Sequence, residues 1–116
     1  MSQPIVHFEI MGKDAVRLRK FYADLFSWKI GDPMPDMGMY AMVDASSSGV
    51  AGGIGQEQDG STRVTVYVQV PDLQATLDQA VELGGKVVMP PMDIPGVVSL
   101  AQFADPDGNI IGLVKG

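Results

Sequence analysis

Apolar and polar positions alternate in the opening stretch "IVHFEI", residues 5–10, so that Val6, Phe8 and Ile10 fall on one side of an extended chain and Ile5, His7 and Glu9 on the other. The pattern predicts a strand that carries the chain's single histidine and an acid on one face. Within "KDAVRLRKFYADLFSWKI" the spacing becomes helical, with Ala15, Leu18, Phe21, Tyr22, Leu25 and Phe26 repeating at three to four residues. Asp14 is the natural N-cap, and the helix ends ahead of "GDP". "MYAMVDASSSGVAGGIG" reads as two strands about a Ser/Gly turn, and "QEQDGST" at 56–62 as a polar connector. The order then recurs. "TVYVQVPDLQATLDQAVELGGKVV" is a strand, a helix capped by Asp72, a Gly-Gly stop and a further strand. "VSLAQFADPDGNIIGLVKG" is two strands about an Asp-Pro-Asp-Gly reversal. Laying "HFEI" on "YVQV" and "AMVDASSSGVAGG" on "AQFADPDGNIIGL" aligns the halves, as an internal duplication of about 55 residues would.

Length and composition bound what such a chain can be. At 116 residues, with 46% hydrophobic and 19% charged positions, it has the make-up of one compact globular domain, residues 1–116, with module one at about 1–60 and module two at about 61–116. No apolar run has the roughly 18 residues of a membrane helix, and the first residues lack the layout of a secretory signal, so a cytoplasmic location and no membrane partner are expected. A net charge of −6 without a Lys/Arg cluster argues against nucleic acid, whose affinity rests on neutralising phosphates. The absence of cysteine removes disulfides, thiolate nucleophiles and sulfur-ligated zinc.

Taken in order, "VPDLQATLDQAVELGGKVV" and "FADPDGNIIGLV" in the second half, with "VHFEI" and "RLRKFYADLFSWKI" in the first, make the chain resemble the vicinal oxygen chelate superfamily of glyoxalases, bleomycin-resistance proteins and dioxygenases. The resemblance implies an α+β fold of two tandem βαβββ modules, forming a curved eight-stranded mixed sheet around a concave cavity. It also implies four metal-ligand positions. His7 matches one, Tyr67 stands where a second histidine would be, and Gly52 and Gly112 stand where glutamates would be. Glycine offers no side-chain oxygen and neutral tyrosine is a poor ligand for a divalent ion, so no metal and no other cofactor is expected. A substitute set built from His7, Glu9 and a distant acid such as Glu57 is the minority alternative.

On the same implied concave face His7 and Glu9 are matched by Tyr67 and Gln69, and Tyr40 and Met42 by Leu100 and Gln102. This is a mixed pocket suited to a small organic molecule. His7, Glu9, Trp28, Tyr40, Met42, Tyr67, Gln69 and Gln102 are the candidate ligand contacts, with His7 and Glu9 the candidate proton-transfer pair. Each has a plainer reading: Glu9 as the structural partner of His7, Tyr67 and Gln69 as cross-strand packing, Trp28 as core. Met34, Met37 and Met39 in "GDPMPDMGMY" suit either a pocket rim or core filling. Three functions follow. The first is metal-free binding of a small organic molecule, as in the bleomycin-resistance group, whose members are homodimers. The second is a glyoxalase-like lyase or isomerase using His7 and Glu9, and the third a partner-binding component with a vestigial cavity.

Overall fold

The computed structural model describes residues 2–116. It has an α+β fold whose residues group into two compact units, one comprising residues 7–64 and the other residues 65–116 with the N-terminal segment up to Val6. The elements in order are β1 (Ile5–Gly12), α1 (Ala15–Phe26), a 3₁₀ turn (Pro35–Met37), β2 (Ala41–Val43), α2 (Ala45–Ser48), β3 (Gly52–Gln56), β4 (Arg63–Val70), α3 (Leu73–Glu82), β5 (Lys86–Ile94), β6 (Val98–Ala104) and β7 (Ile110–Lys115).

In the first unit the strand order is β2-β3-β1, with β1 parallel to β3 and β2 antiparallel to it. Asp14 caps α1 as its position before the helical repeat predicts, accepting a hydrogen bond from the Arg17 N–H at 3.1 Å. The apolar stripe of α1 is wider than the face it buries. Ala15 is buried, whereas Phe21, Leu25 and Phe26 are each more than half exposed. At about 100° per residue Leu18 and Tyr22 lie within about 60° of Ala15 and Phe21 about 120° away, while Leu25 and Phe26 are exposed in the last turn although their angles fall near the Leu18 and Ala15 side. The serine run "ASSS" is one turn of helix rather than an open turn, because the Asp44 carboxylate accepts the Ser46 N–H and its carbonyl holds Ser47 and Ser48.

In the second unit β4 pairs in parallel with β7, and β7-β6-β5 continue antiparallel. Asp72 caps α3 through the Ala75 N–H at 3.0 Å. Leu73 and Leu77 of that helix close with Val70, Ala101 and Leu113 into a buried core, as four-residue spacing on one side and strand alternation on the other require.

Among the described residues there are seven strands, not eight. The strand expected after α1 is reduced to an isolated bridge between Ile30 and Val43. Gly31, Pro33 and Pro35 follow it directly, and proline has no N–H to give to a ladder.

Candidate functional site

The parallel register of β1 on β3 sets the geometry. Glu9 lies opposite Gly53 and Met11 opposite Gly55, while Phe8 lies opposite Gly52. Successive residues face opposite sides of a sheet, so the residue that shares the Glu9 face is Gly53 and not Gly52. A Cβ built on Gly52 would run into the Phe8 ring; one built on Gly53 would run into the Tyr40 phenol. The expectation that Gly52 stands at a ligand position on the His7 face is corrected by this one-residue difference.

Tyr40 reaches Gly53 from a tight loop. Gly38 and Met39 both take left-handed backbone, at φ 65° and 57°, and the Met34 N–H bonds to the Tyr40 carbonyl at 2.8 Å. Left-handed backbone suits glycine and is strained for a methionine, so this loop holds its shape through the bridge it makes. The result is a chain of polar contacts. His7 Nε2 lies 2.8 Å from Tyr40 Oη, Tyr40 Oη lies 3.0 Å from Glu9 Oε2, and Arg63 Nη2 reaches Glu9 Oε1 at 3.1 Å and Glu57 Oε1 at 2.9 Å.

The direction of each bond follows from what each group can donate. The Arg63 guanidinium is permanently charged and holds Glu9, 8% exposed, as a carboxylate, which only accepts. Tyr40 therefore gives its one proton to Glu9, and its oxygen accepts from His7, so the network assigns the His7 proton to Nε2. Burial lowers the pKa of His7 below the ordinary imidazole value.

The second unit brings together a different pair. The Gln102 amide donates to Tyr67 Oη at 2.9 Å, and both side chains are buried. Tyr67 lies opposite Gly112 in the ladder, and a Cβ on Gly112 would run into the Tyr67 ring. Thr65, two residues earlier on the same face of β4, is 2% exposed, and its hydroxyl has no hydrogen-bond partner among the described residues.

The remaining candidates divide. Trp28 packs on Phe8 with ring centroids 5.4 Å apart and stacks on Tyr22 at 5.6 Å. It therefore belongs with the face that Phe8 occupies, not with His7. Met42 lies opposite Gly53 in the antiparallel ladder, on the face that Gly53 shares with Glu9 as expected, and is exposed. With Trp28 and Lys29 it lines an open cleft of about 1280 Å³ between α1 and β2, which contains none of His7, Glu9 or Tyr40. Gln69 lies against the chain end, where a side chain on Gly116 would meet its amide. Arg63 is the residue that sequence reasoning missed. It stands 54 positions from Glu9, and the signal it carries, one cation opening a strand after a polar connector, names no partner.

These residues do not fit the divalent metal that the sequence resemblance brings to mind. In the first unit His7 is committed to Tyr40, Glu9 to Arg63, and the side-chain space over Gly53 is filled by a phenol. In the second unit, the corresponding positions hold Tyr67 and Gly112. Among the described residues no three His, Asp or Glu side chains are grouped as metal ligands would be.

Three comparisons bear on this arrangement. A family model described as a glyoxalase-like domain matches residues 7–114. The putative glyoxylase CFP32 of Mycobacterium bovis is 31% identical over 112 residues, covering 90% of this chain and 42% of that protein. The anthracycline biosynthesis protein DnrV of Streptomyces peucetius is 30% identical over 119 residues, with 87% and 42% covered. The chain thus spans less than half the length of these curated relatives. Methylmalonyl-CoA epimerase from Mycobacterium tuberculosis superposes with a TM-score of 0.71 at 16% identity, covering 96% of this chain and 86% of that one, a likeness of fold.

Proposed function

Since the chain belongs to the glyoxalase-like domain family and has the fold of the vicinal oxygen chelate superfamily, we propose that it binds a small organic molecule through His7 and Tyr40 without a divalent metal. The observation that carries this reading is the Tyr40 phenol held between His7 and Glu9 over Gly53, in the space a ligand carboxylate would need. A neutral imidazole and a phenol offer directional bonds without a net charge, and Met11, which a Cβ on Gly55 would meet beside the Tyr40 ring, adds an adaptable apolar contact. Such a surface suits a neutral or aromatic molecule better than a phosphorylated one. That a relative is named for anthracycline biosynthesis agrees with an organic ligand of this kind.

A second reading, metal-free proton transfer by a glyoxalase-like lyase or isomerase, is favoured by the burial that lowers the His7 pKa and by the connection of His7 through Tyr40 to a carboxylate. No helix of the described residues is long and apolar enough to cross a membrane; a cytoplasmic homodimer completes the proposal. Its dimer half is supported by the exposed Phe21, Leu25 and Phe26 on α1.

The test is a thermal-shift screen of aromatic and carbonyl compounds against the wild type, Tyr40→Phe and His7→Gln, with and without a chelator, alongside metal analysis by mass spectrometry. A hit that survives the chelator and weakens about tenfold in Tyr40→Phe, the loss of one buried hydrogen bond, supports the proposal. Binding that needs a metal at one equivalent per chain overturns it.

A further inference from the structure

Trp28 packs against Phe8, and the pleat of β1 turns Phe8 to the side opposite His7 and Glu9. There Trp28 lines the open cleft of about 1280 Å³ between α1 and β2. The cleft gathers four of the chain's eight Lys and Arg side chains but only three of its fourteen Asp and Glu, a positive spot on a chain of net charge −6. We propose that this cleft is a second binding site, separate from His7 and Tyr40, for a small organic carboxylate with an apolar body.

The charges that line it are unequally committed. Asp14 accepts the Arg17 N–H and Asp44 the Ser46 N–H, so both carboxylates serve the backbone of the helices they cap. Asp24 holds Lys20 at 2.6 Å. Arg19 gives its Nε proton to the Gly31 carbonyl at 2.8 Å and an Nη2 proton to the Ile30 carbonyl at 3.2 Å. It thereby ties α1 to the segment after Trp28 and keeps the walls of the cleft in place when it is empty. Arg17 and Lys29 are left over. Both are exposed, and among the described residues neither side chain makes a hydrogen bond or ion pair; Asp44 feels the Lys29 charge without closing on it. The Lys29 backbone is pinned on both sides, its N–H to Ser47 Oγ at 2.9 Å and its carbonyl to the Asp44 N–H at 2.9 Å, so the ammonium swings from a fixed root.

What the cleft offers defines its occupant. Two uncommitted cations attract an anion, while Asp24 and Asp44 on the same walls oppose a second negative charge, which favours a monoanion over a phosphate ester. Val16, more than half exposed, and the Trp28 ring, held by Tyr22, Phe8 and Phe26, supply apolar surface for the remainder of the molecule. Exposed charges are screened, so binding at such a site is weak and sensitive to salt.

The chain contains one tryptophan, so a single indole N–H cross-peak in the proton–nitrogen spectrum of ¹⁵N-labelled full-length protein reports on the cleft. The probes are benzoate, its neutral counterpart benzamide, and acetate, which keeps the charge and lacks the ring. Benzoate is expected to shift the peak saturably, with benzamide and acetate each binding at least about threefold more weakly, and with a similar loss for benzoate between about 0.02 M and about 0.5 M salt. Arg17→Gln and Lys29→Gln, both at exposed positions, are each expected to weaken benzoate about threefold, the size of one exposed charge contact, and the double change about tenfold. Tyr40→Phe is expected to leave the titration as it was. The proposal is overturned by a peak that does not shift saturably, by benzamide binding as well as benzoate, or by charge changes without effect. A loss in Tyr40→Phe overturns it too, since that places benzoate at the other site, and acetate equal to benzoate overturns the apolar body. Failure of the His7 and Tyr40 reading leaves this result standing, because the two sites are read by different residues.

Discussion

Thr65 is two residues from Tyr67 on β4, 2% exposed, and its hydroxyl finds no partner among the described residues. A buried hydroxyl without a hydrogen bond has lost its water and received nothing in return, a cost of about 1–3 kcal/mol. Valine is nearly the same shape, keeps the β-branched side chain that a strand favours, and replaces the oxygen by a methyl that gains from burial. Thr65→Val should therefore raise the unfolding free energy by about 1 kcal/mol, taking the low end because the denatured chain also buries part of this residue. For a chain near this length that corresponds to about 4–8 °C in melting temperature. Urea denaturation at constant pH is the assay: the midpoint should rise with an unchanged slope, which identifies a change in stability and not in compactness. Thr65→Ala is the control and should lose stability, since it removes the methyl along with the oxygen. A Thr65→Val protein less stable than the wild type would refute the reasoning, because it would mean that the hydroxyl is satisfied, by a buried water or otherwise.

Two further perturbations test the first unit. Gly53→Ala sets a Cβ against the Tyr40 phenol and should cost about 1–3 kcal/mol, as overpacking does; in the Tyr40→Ala background the same change should cost far less, and strictly additive effects in a denaturation cycle would deny the contact. Because burial lowers the His7 pKa, the unfolded chain binds the proton first as pH falls; the stability held above the ordinary imidazole pKa of 6.5 is lost from there down to the folded value. Melting temperatures measured from pH 7.5 downward should show a drop in that window that is smaller in His7→Gln, and equal drops would discount the burial of the ring.

What could be read from the sequence was whatever short-range chemistry decides. Asp14 and Asp72 announce their helices because a capping carboxylate acts within three residues. The alternation of β1 placed His7 and Glu9 on one face because pleating does so wherever a strand forms. The assignments that failed depend on long-range register. Whether Gly52 or Gly53 shares a face with Glu9 is a matter of one residue in a ladder joining positions more than forty apart, and the chain's own pattern, glycine beside glycine, is silent about it. Trp28 follows an amphipathic helix, and only the packing of Phe8, Tyr22 and Phe26 around it tells which face it joins. The bridging place of Tyr40 needed the loop of Gly38 and Met39 as well as the register.

The glycine-and-phenol pairs have a consequence for the history open to this chain. Tyr40 comes from the loop before β2 and covers Gly53; Tyr67 comes from β4 and covers Gly112. The two units hold a similar arrangement by different routes, an aromatic ring laid over a bare strand position in the manner of aromatic rescue. A lineage that acquires a carboxylate at either glycine meets a ring in its way, and one that first gives up the ring loses about 3–5 kcal/mol of packing before anything replaces it. Against a typical margin of about 5–15 kcal/mol, each first step is a descent that selection must tolerate for no immediate return. Adaptive walks that start here are steered away from a carboxylate at Gly53 or Gly112.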